Sequence, residues 1–389
     1  MKKMTVLHGQ RIRRSRMTLG RSRIMQNVLI FLCFASFLTL LIVLIVVSVQ
    51  KSELFGNELL GVVAQSGMKL EAEVRPAAIN PNVTRMITDK INVSDMTVEP
   101  KHVEKANKYH DTFNSHKDER LGILRKLYEE LGNPKTVVTM FYCKRFFILF
   151  DNWVRSCELA GINVRKKTIT FSLDQESYDK TVAMGFKSVL ISNDKYEDAG
   201  GSVAFGDDSF SATMFYKNAF IYDLLSTVPE NNYVLFQDSD LIWFRDPTEY
   251  LENNPEDLQI MYDGANHLYK ELYANTGFIF LRNNKITRSV METALGNTAY
   301  ILSVRGHQKI FNRILAHYAY HNVLSLKVLP ELTFVNGHLI SNTTGKLSEK
   351  LNSNWKSEAY VMHYSWTGNI NDKFKKLDRL GLNHIKDKA

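Results

Sequence analysis

Two aspartates one residue apart, Asp238 and Asp240, interrupt an apolar run in Tyr233–Pro247, YVLFQDSDLIWFRDP. In an extended chain alternate side chains share a face, so both carboxylates are expected to point the same way. Two carboxylates on one face suit a hard divalent cation, Mn²⁺ or Mg²⁺, and such cations bridge to phosphate oxygens. Without the cation the pair would repel a phosphate. Like charges about 4 Å apart cost roughly 4 kcal/mol at an effective dielectric near 20. A bridging cation reverses that sign and stabilises charge on a departing phosphate group. The pair stands at the carboxyl end of a strand-like run, where open α/β sheets hold their ligands.

Other residues could serve the same chemistry. His363, in VMHYSWTGNINDKFKK, ends the last strand-like segment, and imidazole is an acceptable ligand for Mn²⁺. Gly368 and Lys373 follow it, offering a close backbone approach and a cation facing phosphate. Asn275-Thr276-Gly277 opens a strand; the same residues are also ordinary turn formers. His307, Gln308 and Asn312 lie near the start of a helix, placed either to meet a hydroxyl-bearing acceptor or to cap the helix. Lys217, in FYKNAF, either meets the phosphorylated ligand or is a solvated helix residue. Gly206-Asp207-Asp208 has the form of a polymerase motif.

Charge argues against nucleic acid as a partner. The net +8 is confined to residues 1–26, which hold eight of the 49 Lys and Arg and no acidic residue; the rest carries 41 of each sign. A neutral body is a poor phosphate-backbone binder. Residues 28–49, VLIFLCFASFLTLLIVLIVVSV, carry no charge and are long enough to cross a bilayer of roughly 30 Å as a helix. With the basic flank on the amino-terminal side, the positive-inside rule gives a type II orientation. The expected plan is a cytosolic tail (1–27), a signal anchor (28–49), a lumenal stem (50–130) and one large domain (131–389). On that topology Asn82, Asn92 and Asn342 are glycosylation sequons in the lumen. Cys143 and Cys157 share that compartment, where a disulfide persists, but spacing does not decide whether they pair.

The elements that must position these residues are legible from periodicity. Asp118–Leu131 has helical spacing and stops at Gly132 and Pro134. Strands are expected at 136–142, 168–173, 188–191, 233–237, 259–262, 277–282, 326–329 and 360–363. Helices are expected at 147–159, 215–226, 289–299 and 307–316. The alternation predicts an α/β domain with a mostly parallel sheet flanked by helices.

Taken in order, NWVRSC, the SLD step at Asp174, YVLFQDSDLIWFRDP, NTGFIFLR, HQKIFN, LPELTFVNG and HYSWTG resemble the DxD-containing nucleotide-diphospho-sugar transferases, close to glycosyltransferase family 77. The resemblance covers about Thr136 to the C-terminus. It implies a GT-A fold, a Rossmann-like nucleotide half continuous with an acceptor half. It also implies a Mn²⁺ held by Asp238, Asp240 and His363 on the donor diphosphate, Lys217 near the donor, and a retaining reaction by front-face displacement. Two departures stand out. Family members often carry an Asp before the Gln of the HQKIFN step, where this chain has His307. The ending lacks a KPW motif and has Asp372-Lys373-Phe374.

The functional expectation is a metal-dependent hexosyl- or pentosyltransferase, anchored in the Golgi membrane. It would move a sugar from a nucleotide donor, UDP-linked, to a glycan or glycoprotein. Asp238 and Asp240 would be its catalytic pair; Lys217, Asn275, Gly277, His307, Gln308, Gly368 and Lys373 would bind donor or acceptor. Two rivals are a non-catalytic sugar-nucleotide-binding or scaffold protein of the same fold and an aspartate-nucleophile phosphatase. The second usually has Thr or Val where this chain has Ile242.

Overall fold

The computed structural model describes residues 98–385 except 193, 197, 199–207, 265, 267, 268, 270, 271, 305, 341–346 and 368. These residues belong to one compact unit, Gly67–Ala389. Helices α1 (Pro100–Ser115) and α2 (Lys117–Glu130) come first, then β1 (Thr136–Tyr142), α3 (Phe147–Leu159), β2 (Thr168–Ser172), α4 (Gln175–Ala183) and β3 (Lys187–Leu190). The long helix α5 (Asp208–Thr227) leads into β4 (Tyr233–Gln237) and the three-residue β5 (Leu241–Trp243). The rest comprises α6 (Thr248–Glu252), β6 (Leu258–Tyr262), β7 (Ala274–Arg282), α7 (Lys285–Gly296), α8 (Thr298–Val304), α9 (Gln308–Tyr320) and β8 (Leu326–Leu329). It closes with β9 (Phe334–Asn336), α10 (Trp355–Glu358), β10 (Val361–His363) and α11 (Ile370–Arg379).

Seven strands form one mixed sheet in the order β3-β2-β1-β4-β7-β6-β8. Strands β3, β2, β1 and β4 are parallel; β7 runs antiparallel to β4 and to β6, and β8 is parallel to β6. Strand order reverses beside β1, between β2 and β4, which is the switch point at which such sheets bind ligands. The acidic pair follows β4 there. The expected Rossmann-like, mostly parallel mixed sheet is therefore present.

A second sheet, β5-β10-β9, stands beyond the first. The aspartates do not break one strand; they form the link between β4 in the first sheet and β5 in the second. Strand β10 pairs antiparallel with β5, setting His363 opposite Leu241, and parallel with β9, setting His363 beside Asn336. That register brings the C-terminal histidine to the aspartates.

Helix α5 is apolar on most of its surface because protein covers it. Phe113 of α1 packs edge-on to Phe215 and Phe220, and Tyr109 stacks on Phe215. Arg120 of α2 pairs with Asp223 of α5, both buried, with its guanidinium over the Phe113 ring. The segment 100–130, expected as stem, thus packs on the helix that carries Lys217. Cys143 and Cys157 are buried free thiols.

The structure corrects the membrane expectation. No helix of the described residues is long and apolar enough to cross a membrane. The longest, α5, is 20 residues and carries Lys217 and Asp223, each paired inside the protein. The transmembrane helix ahead of the fold, the type II topology, the signal anchor, membrane attachment and Golgi residence therefore find no support and are withdrawn. Residues 28–49 lie outside the described residues, as do Asn82, Asn92, Asn342, Gly368 and the Gly206-Asp207 step.

Candidate active site

Asp238 extends the β4–β7 ladder by one bond, its backbone N–H donating to the Gly277 carbonyl at 2.8 Å. Asp240 is held from the other sheet, its carbonyl accepting from Tyr364 N–H at 3.0 Å. Between them His363 presents Nε2, 3.2 Å from Asp240 Oδ1 and 3.7 Å from Asp238 Oδ2. One ligand atom from each of the three residues lies within 4.8 Å of the other two. Two carboxylate oxygens and one imidazole nitrogen form a donor set that suits Mn²⁺ or Mg²⁺, so the group Asp238, Asp240 and His363 could hold a divalent cation.

The two carboxylates differ in environment. The Asp238 side chain is 41% exposed and that of Asp240 only 10%. Burial pushes the Asp240 carboxyl up, but the Lys373 ammonium and the His363 imidazole overcome burial and hold it well below the ordinary carboxylate range. Lys373 pairs directly with Asp240 Oδ2 and donates to the Tyr364 carbonyl at 2.8 Å. Lys217, buried under the site, donates to Asp238 Oδ1 at 3.1 Å and to the Thr276 carbonyl at 3.0 Å, with its ammonium 4.0 Å from the Phe236 ring centroid. Burial lowers the Lys217 pKa, and Asp238 opposes that shift. Each expected metal-binding aspartate therefore has its own lysine.

Gly277 supports the cluster by lacking a side chain. A Cβ there would lie 2.5 Å from Asp238 Oδ2 and closer still to the His363 ring. Asn275 Oδ1 accepts the Gly277 N–H at 2.7 Å and fixes this approach. Asn312 bonds both backbone groups of Ala274, at 2.7 and 2.9 Å, so its role is to tie α9 to the edge of β7. Asp174 caps α4 through Ser177 N–H at 2.8 Å.

His307 sits at the N-cap of α9 without making a side-chain cap bond. It is 5% exposed, and its buried Nε2 has no hydrogen-bond partner. Burial, reinforced by Lys217, pushes its pKa well down, which keeps the imidazole neutral. Gln308 donates to Asp263 Oδ2 at 2.7 Å and accepts from Thr276 Oγ1 at 3.3 Å.

Sequence reasoning missed Asp263. This buried carboxylate accepts from Asn275 Nδ2, Gln308 Nε2, Asn336 Nδ2 and Trp366 Nε1, all neutral donors. It gathers β7, α9, β9 and the segment after β10 around one group. It also follows directly on β6, so the strand-end rule that singled out Asp238 would have found it.

The family model described as nucleotide-diphospho-sugar transferase matches residues 163–380. Among solved structures, the chain is similar to the apo form of the bifunctional glycosyltransferase WbbM, with 13% identity, TM-score 0.39, and coverage of 62% of this chain and 49% of that one. It is also similar to the glycosyltransferase GlyE of Streptococcus pneumoniae TIGR4, with 15% identity, TM-score 0.40, and coverage of 65% and 63%. A third is the galactosyltransferase LgtC in complex with donor and acceptor sugar analogues, with 13% identity, TM-score 0.40, and coverage of 63% and 94%. The chain thus spans about half of the WbbM chain and under two thirds of GlyE. A comparison with curated proteins finds no match. The family match takes in more than half of the sequence, and the chain belongs to the nucleotide-diphospho-sugar transferases.

Proposed function

We propose that the protein is a metal-dependent glycosyltransferase, close to the DxD enzymes of glycosyltransferase family 77. It would move a hexosyl or pentosyl group from a UDP-linked donor to a glycan or glycoprotein acceptor. The observation that carries this reading is the convergence of Asp238, Asp240 and His363 at the sheet's switch point. In the reaction the bond from the sugar's anomeric carbon to the diphosphate breaks, a bond to an acceptor oxygen forms, and the acceptor hydroxyl's proton passes to the departing diphosphate oxygen.

A divalent cation held by Asp238, Asp240 and His363 would supply positive charge to the leaving diphosphate. Lys217 and Lys373 each pair with one of the carboxylates and would add charge-assisted bonds to the same diphosphate. Asn275 and Gly277 fix the floor of the site, and Gln308 and the neutral His307 offer polar groups to a sugar. The unpartnered His307 Nε2 is the strongest of these, because a buried polar atom without a partner is costly unless a ligand satisfies it.

The test is to incubate the purified full chain with a panel of UDP-sugars and Mn²⁺ and follow donor hydrolysis and transfer. Hydrolysis that EDTA abolishes and D240A lacks is expected. No hydrolysis with any donor, or equal hydrolysis by D240A, would sink the catalytic role. A second reading, a sugar-nucleotide-binding protein without turnover, is favoured by His307 standing where relatives often carry Asp. Metal-dependent UDP binding by calorimetry, without transfer to a broad acceptor panel, would select it.

A further inference from the structure

Of the chain's four tryptophans, Trp153, Trp243 and Trp355 are buried in the core, while Trp366 is 49% exposed. Among the described residues it is also the one aromatic with a positive φ. Its φ of +59° lies in the left-handed region that bulky side chains avoid. The neighbouring chain enforces this conformation. Ser365 donates through Oγ to Asn336 Oδ1 and accepts from the Gly337 N–H at 3.3 Å. Its carbonyl lies so close to Gly337 that a Cβ there would fall 2.0 Å from the oxygen. Thr367 Oγ1 then donates back to the Tyr364 carbonyl at 3.1 Å. Strain held in place by its surroundings next to a site is a pointer to use.

The side chain is aimed as well as exposed. Its Nε1–H donates to Asp263 Oδ1 at 3.2 Å, the carboxylate that Asn275 and Gln308 also share. One edge of the indole is therefore anchored among residues proposed to meet the sugar, three positions after the histidine of the metal cluster. About half of its surface faces solvent, and it joins neither apolar core cluster. A rigid aromatic face beside a polar rim of amides is complementary to a sugar ring, which has one face of C–H groups and an edge of hydroxyls. The negative face of the indole attracts the weakly positive C–H groups, while the rim amides bond the hydroxyls.

We propose that Trp366 is a stacking platform for a sugar ring at this site, a specificity residue of the reaction. The proposal rests on the glycosyltransferase reading above. The ring's source is either the donor's transferred sugar or the acceptor's terminal sugar.

Because only Trp366 is accessible, acrylamide quenching of tryptophan fluorescence reports on it in the full chain without any substitution. A quenchable fraction that W366F removes is expected. UDP with Mn²⁺ should leave that fraction accessible. Shielding by UDP-glucose, UDP-galactose or UDP-N-acetylglucosamine with Mn²⁺ identifies the donor sugar as the occupant. Shielding that needs UDP, Mn²⁺ and a methyl glycoside of glucose, galactose or xylose identifies the acceptor. W366A should raise the KM for that source at least tenfold, leave the Kd for UDP·Mn²⁺ within twofold, and be substantially rescued in W366F. W366G, which suits the positive φ, should fold and still lack the platform. The proposal is overturned if UDP alone shields Trp366 fully, if no sugar shields it, or if W366A leaves both KM values within twofold. UDP·Mn²⁺ binding without sugar shielding defeats the platform alone; no UDP binding at all defeats the glycosyltransferase reading and the platform together.

Discussion

Gly277 lies so close to His363 that a Cβ on it would fall 2.3 Å from Cε1 of the imidazole. Real Cβ contacts are never that short, and a ring bound into β10 is not a flexible chain end that swings aside. Gly277→Ala must therefore displace His363 or the neighbouring Asp238. The expected result is a Mn²⁺ affinity at least tenfold weaker, about 1.4 kcal/mol, with an unchanged far-UV circular dichroism spectrum. Mn²⁺ binding by G277A equal to the parent protein would remove His363 from the metal cluster.

How much of this site was legible in the sequence follows from element length. Strand β4 has five buried residues and ends on the aspartates, so both the strand and its chemistry could be read directly. Strands β5, β9 and β10 have three residues each, too few for a period to emerge, and their pairing is long-range. The meeting of His363 with Asp240 depends on that pairing and was expected only from family resemblance. Lys217 was placed on a helix, but the helix begins at Asp208, not near Phe215, because burial by α1 and α2 hides any polar face. Asp263 stands at a strand end as Asp238 does, but it has no second carboxylate beside it, and its four neutral partners are scattered along the chain.

Each aspartate should count for stability as well as for metal binding. Asp238→Asn leaves the buried Lys217 ammonium without its counter-charge, although the Asp238 carboxylate itself is half-exposed. Asp240→Asn leaves the Lys373 ammonium without its counter-charge in a nearly buried setting, and breaking such a pair costs about 3 kcal/mol. Both variants should lose Mn²⁺ binding. Thermal melts should show a clear fall for both; an unchanged melt for either would mean that this aspartate does not neutralise its lysine.

Lys217→Met should separate metal from diphosphate. Methionine fits a buried slot against Phe236, and Asp238 remains hydrated when its lysine is gone, so the fold should survive. Removing a positive charge beside a metal-binding carboxylate cannot weaken Mn²⁺ binding electrostatically, so the Mn²⁺ Kd should hold or fall. The UDP·Mn²⁺ complex should bind about tenfold more weakly, about 1.4 kcal/mol, because one cation facing the diphosphate is missing. Calorimetry with Mn²⁺ alone and then with UDP decides the point. UDP affinity equal to that of the parent would take Lys217 out of the donor site.

His307 supplies a prediction about pH. Its folded pKa is pushed well below the ordinary 6.5 by burial and by the Lys217 charge. As pH falls through about 6.5 the unfolded chain takes up a proton at this residue and the folded chain does not. Stability is thus complete above pH 6.5 and is lost as pH drops toward the folded pKa. At pH 5.5 the unfolded state gains on the order of 1 kcal/mol from this group, a shift of a few degrees in Tm. His307→Gln cannot protonate, so between pH 7.5 and 5.5 it should lose that much less stability than the parent. Identical losses would mean that His307 is protonated in the folded protein, which would remove the neutral imidazole Nε2 as an acceptor for a sugar hydroxyl.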